Sequence, residues 1–421
     1  MEHFDKVIGY DEIKKELEIY LDMMKNPDKY LKFGVRLPRG IMFEGLPGLG
    51  KSLVAECFIK ASGWNCYICR KHNDDGAFLE EITNIFHTAA ENEPAIVFLD
   101  DMDKFSNEDA DKSDTNEYVT IQTGIDNVKD KRVLVIATVN NRFKLPKSLT
   151  RAGRIEKKIE FQIPNAADTE KIVKHYLSQK NTVKDMDVRE IASLLKGRTC
   201  ADLEAVLNDA ALYAGFQNKE KVTMEDIIKA FLRRQHKEPG GYIDEDNLYV
   251  KQIAYHEAGH VLVAESLEQG RVMLVSLYGN EENVSGMTSF RENEWADYSE
   301  EMLRNQIKIM LAGKAATEMV FGVVDTGTAS DCTSAYGMAN ELVCHYGAYG
   351  FEYFSVPGRG NSSDEFYRKR ERFICAELER NYGDAKKILA QKREVLDRLA
   401  QRLLQKKTLV RKDIVEIVYG E

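Results

Sequence analysis

The stretch "GLPGLGKS", residues 45–52, constrains the fold of this chain more than any other feature. It fits the pattern G-x-x-x-x-G-K-[ST], and it lies between a short apolar run, "GIMF" at 40–43, and a helical pattern. Glycines at this spacing let backbone N–H groups turn inward around phosphate oxygens, and the following helix directs its positive end at the anion. The sequence therefore predicts a strand–loop–helix unit that binds a nucleoside triphosphate.

The side chains of this loop have separate expected roles. Lys51 is expected to reach the β- and γ-phosphates, and Ser52 is expected to bind Mg²⁺. The alternative is a glycine-rich turn without a ligand, and the strand and helix on either side disfavour it. The predicted nucleotide-binding residues of the loop are Gly45, Pro47, Gly48, Leu49, Gly50, Lys51, Ser52 and Leu53.

Polar side chains follow two further apolar runs. Asp100 and Asp101 come directly after "AIVFL" at 95–99, and Asn140 comes after "VLVIATV" at 133–139. We expect Asp100 to hold Mg²⁺, directly or through water, and Asp101 to orient the attacking water. Asn140 is expected to sense the γ-phosphate. Apolar runs that alternate with helical patterns predict a parallel sheet with crossover helices.

The stretch "AYHEAGHVL", residues 254–262, carries a second kind of chemistry. His256 and His260 lie at i and i+4 of a predicted helix, so both imidazoles can reach one tetrahedral zinc ion. Glu257 is the expected general base for the attacking water, whose pKa zinc lowers to about 7. The alternative is a chance match on an amphipathic helix. Two of only eight histidines at this spacing, with a glutamate between them, favour the metal site.

A catalytic zinc site needs a third protein ligand. The residues after His260 lack the G-x-x-H that would supply a nearby histidine. The sequence alone leaves three candidates, which are Glu318, Asp331 and His345. Asp331 lies at the predicted start of a helix, where capping interactions can hold an anionic side chain.

The order of these motifs resembles the FtsH family of ATP-dependent zinc proteases, over nearly the whole chain. The segments that carry the resemblance to its AAA+ module are "VIGYDE", "GLPGLGKS", "FLDDMD", "ATVNN", "LTRAGR" and "ADLEAVLNDAAL". The resemblance implies Zn²⁺, and ATP or ADP with Mg²⁺, as cofactors. It also implies a homo-oligomer, a hexameric ring, that acts on unfolded or tagged protein substrates. Arg151 and Arg154 would then be trans-acting fingers, whereas without a neighbouring subunit they are solvated surface charges.

The resemblance also assigns residues around the two sites. It selects Asp331 as the third zinc ligand, leaves His345 as structural, and casts Glu318 as a residue that orients a histidine or water. It implies an edge strand near Gly286–Thr288, to which an extended peptide could bind through backbone hydrogen bonds. The adenine pocket would be lined by Val7, Ile8, Gly9 and His175.

The predicted architecture is multidomain. Residues 1–165 are expected to form an α/β P-loop AAA+ domain with a parallel sheet, and residues 166–238 a small helical lid subdomain. Residues 239–421 are expected to form a mainly α-helical zinc metalloprotease domain. The stretch "KEPGG" at 237–241 is the predicted hinge.

Charge and cysteine content exclude several other classes of protein. A formal net charge of −10 argues against a nucleic-acid partner. Seven cysteines, an odd number, do not make a disulfide framework, and Cys66 and Cys69 are expected to be ordinary thiols. A membrane-spanning helix needs about 20 apolar residues, and no run approaches that length. We therefore expect the chain in the cytoplasm, or at the cytoplasmic face of a membrane if it is a fragment of an anchored protein.

Two departures from the family pattern leave competing hypotheses. Asp101 stands where the family usually has glutamate, and the shorter carboxylate predicts slower hydrolysis. The polar stretch at 69–78 is shorter than the family's substrate-gripping loop, and Phe78, its nearest aromatic residue, fits the core equally well.

The main hypothesis is an ATP-dependent zinc endopeptidase. The alternatives are a remodeller or chaperone with weak or no proteolysis and a structural zinc, and a peptidase ring that pulls poorly. A purely structural zinc site would not need Glu257, which favours the first hypothesis.

Overall fold

The computed structural model of the chain describes residues 2–71, 77–105, 116–236, 245–278, 286–291, 299–324, 327–350 and 364–420. The predicted hinge at 237–241 lies outside these residues, as do residues 72–76 of the polar stretch. The chain divides into two compact units, 1–230 and 231–421. The three-part division at 165 and 238 stays a prediction.

A five-stranded parallel sheet organises the first unit. Its strands are β1 (Gly40–Glu44), β2 (Asn65–Cys69), β3 (Ala95–Leu99), β4 (Val133–Val139) and β5 (Lys157–Glu160). Their order is β2-β3-β4-β1-β5, and every neighbouring pair is parallel. The parallel sheet predicted from the alternating pattern is therefore confirmed.

The sheet is buried on both faces, which explains why its central strands are continuous apolar runs. Successive side chains of a strand point to opposite faces. Val97 and Val135 accordingly pack into one apolar cluster, while Ile96 and Ile136 pack into the other. Burial on both faces is typical of parallel sheets covered by crossover helices.

Helices surround this sheet and then continue as a separate helical run. They are α1 (Asp11–Lys25), α2 (Pro27–Leu31), α3 (Lys51–Ser62), α4 (Ala77–Glu91), α5 (Asn116–Asn127), α6 (Ala166–Ser178), α7 (Val188–Leu194), α8 (Cys200–Phe216) and α9 (Met224–His236). Asn165, Asp187 and Thr199 cap α6, α7 and α8 by accepting hydrogen bonds from backbone N–H groups. Each such cap stabilises its helix by about 1 kcal/mol.

The second unit is mainly helical, as predicted. Its helices are α10 (Leu248–Leu267), α11 (Glu300–Phe321), α12 (Thr328–Cys344), α13 (Asp364–Gln391), α14 (Arg393–Lys406) and α15 (Arg411–Tyr419). Its strands β6 (Val272–Ser276), β7 (Met287–Phe290) and β8 (Thr408–Val410) form an antiparallel sheet in the order β7-β6-β8. β7 therefore lies at an edge of this sheet. No helix in the described part of the chain combines the length and the apolar character needed to cross a membrane.

Helices α10 and α11 cross at close range because Gly259 has no side chain. A Cβ atom at this position would lie 2.7 Å from the carbonyl oxygen of Ala312 and 2.7 Å from Cβ of Ala316. Such separations are shorter than ordinary van der Waals contact. The glycine inside the H-E-x-x-H segment therefore sets how near α11 comes to the two histidines.

Candidate zinc and nucleotide sites

Three side chains of the second unit converge on one point. Nε2 of His256 and Nε2 of His260 lie 3.0 Å apart, and Oδ2 of Asp331 lies 3.0 Å and 3.1 Å from them. Ligands of a tetrahedral zinc ion, with bonds of about 2.0–2.1 Å, are separated by about 3.3 Å. Two imidazole nitrogens and one carboxylate oxygen are also ligands that zinc prefers. Among the described residues, these three form the group of His, Cys, Asp and Glu side chains that fits a metal ion.

A backbone carbonyl group on α11 holds His260 in position for a metal. Nδ1 of His260 lies 2.7 Å from the carbonyl oxygen of Ile309 on α11. A hydrogen bond donated by Nδ1–H leaves Nε2 as the free lone pair that a metal needs. Gly313 faces the same imidazoles, and a Cβ there would lie 2.6 Å from Nε2 of His260 and closer still to Nε2 of His256. Neither Ile309 nor Gly313 is recognisable from the sequence as part of the site.

The charge of Asp331 is favoured by its two histidine neighbours. Burial alone would raise the pKa of this carboxyl, but its contacts with the imidazoles of His256 and His260 lower its pKa well below the ordinary value. Asp331 lies in the first turn of α12, as the sequence predicts. An ionised carboxylate at this position is the form that binds a metal ion.

Glu257 lies in the same cleft, with its carboxylate turned toward β7. Its Oε2 accepts a hydrogen bond of 2.6 Å from Oγ1 of Thr288. Burial raises the pKa of Glu257, and the neighbouring histidines partly oppose that shift. A cleft of about 400 Å³ contains Glu257, Thr288, Gly286 and the three candidate metal ligands. A Cβ on Gly286 would lie 2.8 Å from Oε1 of Glu257, so this strand can approach the carboxylate only with glycine there.

The predicted role of Glu318 is wrong. Its carboxylate accepts hydrogen bonds of 3.0 Å from Lys314 and 3.0 Å from Lys386, and a further one from the hydroxyl of Tyr382. These bonds, that from Tyr382 first, lower its pKa to about 2. Glu318 therefore links α11 to α13 instead of orienting a zinc ligand. The sequence placed it on the correct helix, but a spacing pattern does not show which way a side chain points.

His345 has a structural contact, as predicted. Its Nδ1 lies 3.1 Å from a carboxylate oxygen of Glu341, one turn earlier near the end of α12. Asp331 is therefore the candidate third ligand that the structure brings to the histidines.

The nucleotide loop of the first unit follows β1 directly. Nζ of Lys51 donates hydrogen bonds to the carbonyl oxygens of Gly45 (2.7 Å) and Leu46 (2.8 Å) and to Oδ1 of Asn140 (2.8 Å). Gly50 precedes α3 with φ of 84°, a conformation that favours glycine. The loop, α3 and the end of β4 therefore meet at one edge of the parallel sheet, where such folds bind ligands.

The two aspartates after β3 have separate partners. Oδ1 of Asp100 accepts hydrogen bonds from Ser52 (2.9 Å) and Thr138 (2.6 Å), so Asp100 and Ser52 lie together as predicted. Burial would raise the pKa of Asp100, but the hydrogen bonds to its carboxylate lower it. Asp101 instead pairs with Lys104 at 2.7 Å and lies 3.4 Å from Nδ2 of Asn140.

A small cavity beside the loop contains most of the predicted adenine-binding residues. Val7, Ile8 and His175 lie there together with Leu49 and Leu53 of the loop. Gly9 does not line this cavity. Its φ is 76°, and a Cβ there would lie 2.9 Å from the Asp168 side chain. The structure adds Tyr10, Ile172, Tyr176 and Cys200 to the cavity wall.

The two predicted arginine fingers differ in their surroundings. Arg151 is exposed, whereas Arg154 is buried and pairs with Asp126 at 2.7 Å. Arg154 also donates hydrogen bonds to Oε1 of Gln122 and to the carbonyl oxygen of Ser148. The arrangement favours Arg151 for contact with a neighbouring subunit, although a trans role for either arginine stays a prediction.

Phe78 belongs to the core. Its side chain is 4% exposed, and its ring packs edge-on against Phe105 with centroids 5.1 Å apart. The sequence allowed Phe78 to grip substrate or to belong to the core, and the structure supports the core.

Comparison with known proteins agrees with both sites. Residues 41–163 match the ATPase family associated with various cellular activities (AAA), residues 185–229 match the AAA+ lid domain, and residues 245–417 match peptidase family M41. The ATP-dependent zinc metalloprotease FtsH of Caldicellulosiruptor bescii is 30% identical over 99% of this chain and 72% of its own length. The chain belongs to the FtsH family. FtsH of Thermus thermophilus is 28% identical over 99% of this chain and 70% of its own length. FtsH 2 of a Thermoanaerobacter species is 28% identical over 98% of this chain and 82% of its own length.

Family membership gives the chemistry of the two sites. The chain is an ATP-dependent zinc metalloprotease, with Zn²⁺ at the peptidase centre and ATP with Mg²⁺ at the ATPase centre. The donors of His256, His260 and Asp331 fit zinc in kind and in spacing.

Proposed function

We propose that this chain works as a hexameric ring that unfolds protein substrates, moves them with energy from ATP, and cleaves them at a zinc centre. A nucleotide loop and a three-donor zinc site in one chain carry this proposal. The zinc cleft has a volume of about 400 Å³, far smaller than a folded domain. Such a cleft is therefore suited to unfolded chain that the ATPase unit delivers.

At the peptidase centre, His256, His260 and Asp331 would hold Zn²⁺ and leave one position open. Zinc supplies a Lewis acid that lowers the pKa of water and polarises a carbonyl group. Glu257 is the proposed base that takes the proton of the attacking water and passes it to the leaving amine. Thr288 donates to Oε2 of Glu257, which fixes one oxygen of the carboxylate.

The edge strand β7 is the proposed binding surface for the substrate backbone. β7 pairs with β6 on one side and with no other strand of the described residues, so its second side would offer backbone groups to an added strand. Gly286 and Thr288, at the start of this strand, lie in the same cleft as Glu257. Recognition through backbone hydrogen bonds accepts many side chains, which suits a protease of unfolded proteins.

At the ATPase centre, Lys51 would bind the β- and γ-phosphates and Ser52 with Asp100 the Mg²⁺ ion. Asp101 and Asn140 are the proposed residues around the attacking water and the γ-phosphate. Arg151, which is exposed, is the proposed finger that a neighbouring subunit presents.

The proposal is tested by ATP turnover measured with and without an unfolded protein, together with the mass of the particle. A hexamer whose turnover rises when the protein is added and degraded supports the proposal. Turnover without cleavage would favour a remodeller with a structural zinc. Cleavage of peptides but not proteins would leave a peptidase that pulls poorly, and either result would contradict the proposal.

A further inference from the structure

Arg70 makes a contact that the proposed ATPase chemistry does not use. It follows β2 directly, and its Nη2 donates to Oδ2 of Asp100 at the end of the neighbouring strand β3. The other oxygen of this carboxylate, Oδ1, accepts hydrogen bonds from Ser52 and Thr138. Three side chains therefore bind the two carboxylate oxygens of Asp100 within one subunit.

The two members of this ion pair differ in their freedom to move. The side chain of Asp100 is 6% exposed, whereas that of Arg70 is 51% exposed. A half-exposed guanidinium can turn into water at small cost, because exposed ion pairs contribute little net stability. Asp100 is held by Ser52 and Thr138 and stays in place. Arg70 is therefore the partner that can leave.

A magnesium ion and Arg70 would compete for the same carboxylate. Ser52 and Asp100 are the side chains proposed to hold Mg²⁺, and their oxygens lie 2.9 Å apart. A guanidinium paired with Asp100 neutralises the charge that attracts the ion and repels a second cation nearby. Binding of Mg²⁺ at this carboxylate is therefore opposed as long as the ion pair is closed.

We propose that Arg70 is a positioning residue that keeps Asp100 in a neutralised, magnesium-free arrangement, which Mg²⁺ must open when it binds with nucleotide. Arg70 then sets the concentration of free Mg²⁺ at which nucleotide binding tightens. The inference rests on the proposed role of Asp100 at the magnesium ion. It does not depend on the ring or on the peptidase.

The test is the affinity of the 421-residue chain for ADP, measured by calorimetry at a series of free Mg²⁺ concentrations. We expect Arg70→Gln to need less Mg²⁺: the free Mg²⁺ concentration at which ADP affinity reaches half of its full increase should fall by about three- to tenfold. This is the range expected for loss of one partly exposed charged contact. ADP affinity in EDTA should be unchanged. Arg70→Lys keeps the charge and should stay close to the parent.

Arg142→Gln is the matched control. Arg142 follows β4 at the same edge of the sheet and pairs with Glu44 at 3.4 Å. Its replacement removes the same positive charge without touching Asp100, so the Mg²⁺ midpoint should not move. An equal shift in Arg70→Gln and Arg142→Gln would reduce the effect to net charge and overturn the proposal.

Two other results would also overturn it. An unchanged or higher Mg²⁺ midpoint in Arg70→Gln would show that the pair does not oppose the ion. Weaker ADP binding in EDTA would show that Arg70 serves the nucleotide itself. Asp100→Asn separates this inference from the proposed function, because it should abolish the Mg²⁺ effect. If Asp100→Asn leaves the Mg²⁺ effect intact, the role of Asp100 is what fails.

Discussion

Gly313 leaves room for a metal ion beside the histidines because it has no Cβ atom. A Cβ there would lie 2.6 Å from Nε2 of His260, on the side of the imidazoles that binds the metal. We expect Gly313→Ala to lower zinc affinity by about 10- to 100-fold, the range for changes beside metal ligands. The measurement is zinc content of the purified protein after dialysis against a series of buffered zinc concentrations.

Gly337→Ala on α12 is the control for this change. Gly337 is also helical, and a Cβ there would have no neighbouring atom within 4 Å. Alanine should stabilise this helix by about 0.5–1 kcal/mol and leave zinc affinity unchanged. Equal zinc affinity in Gly313→Ala and the parent would contradict the proposed crowding.

The two histidines and Glu257 could be predicted from the sequence because one helix carries all three. The third ligand could not, since spacing alone left Glu318, Asp331 and His345 open, and a family resemblance was needed to choose among them. Gly313 and the carbonyl oxygen of Ile309 were missed because they lie on another helix and carry no metal-binding side chain. Contacts of this kind depend on how helices cross, which local patterns do not reveal.

At the scale of elements, Glu265 joins α10 to β6 and α15. Its buried carboxylate accepts hydrogen bonds from the N–H groups of Gly270 and Val272 and from the side chains of Arg411 and Tyr419. We expect Glu265→Gln to lower the free energy of unfolding by about 3 kcal/mol, because an amide group would face donors and leave Arg411 without its charge partner. Chemical denaturation of the full chain measures this loss.

The effect of Glu265 should depend on pH in a defined direction. Burial would raise its pKa, but the bonds from Arg411 and its other donors bring the pKa below the ordinary value of 4.5. A carboxylate with a lowered pKa stabilises the folded state above the ordinary value, and the stabilisation is lost as the pH falls through the folded-state pKa. The difference between parent and Glu265→Gln should therefore be constant near neutral pH and narrow below about 4.5.

Glu268→Gln provides the comparison for this element. Glu268 is 56% exposed and lies 3.8 Å from Arg271, so its replacement should cost less than about 1 kcal/mol. A cost in Glu265→Gln no larger than in Glu268→Gln would contradict the role given to the buried carboxylate.

If the substrate binds along β7, changes to its backbone amides should affect KM at alternate positions only. In an added strand, only every second residue points its amide group at the neighbouring strand. N-methylation of successive amides near the scissile bond should therefore raise KM by about three- to tenfold at alternate positions. Peptides with one extra methylene in the side chain at the same positions serve as controls. A response without this alternation, or one matched by the controls, would exclude binding through the edge of β7.

The overall architecture followed from the sequence more readily than the sites did. Apolar strands, two of them followed directly by Asp100 and Asn140, alternate with helical patterns, and this order alone indicated the parallel sheet. The two predicted boundaries, at 165 and 238, are less well defined by sequence, because helical patterns run on from α6 to α9 without a strand to divide them. Assembly likewise leaves no local pattern, apart from exposed groups such as Arg151.

At the scale of the whole molecule, the trans role of Arg151 can be tested by mixing two inactive variants. Lys51→Ala should not bind ATP productively, and Arg151→Ala should turn ATP over about 10³-fold more slowly. In mixed rings, a Lys51→Ala subunit supplies its intact Arg151 to the intact ATP site of its neighbour, so turnover should reappear. Arg154→Ala mixed with Lys51→Ala should not recover, because Arg154 bonds to Asp126 in its own chain. Absence of recovery with Arg151→Ala would contradict the trans role.

The most direct test of the account is degradation of a tagged protein and cleavage of a short peptide, measured in the same reactions with and without ATP. The parent should cleave the peptide in both conditions but degrade the protein only with ATP. Lys51→Ala should cleave the peptide and spare the protein, and Glu257→Gln should turn over ATP yet cleave neither, with peptide rates about 10²–10⁴-fold lower. Peptide cleavage by Glu257→Gln at the parental rate, or protein degradation by Lys51→Ala at the parental rate, would contradict the account.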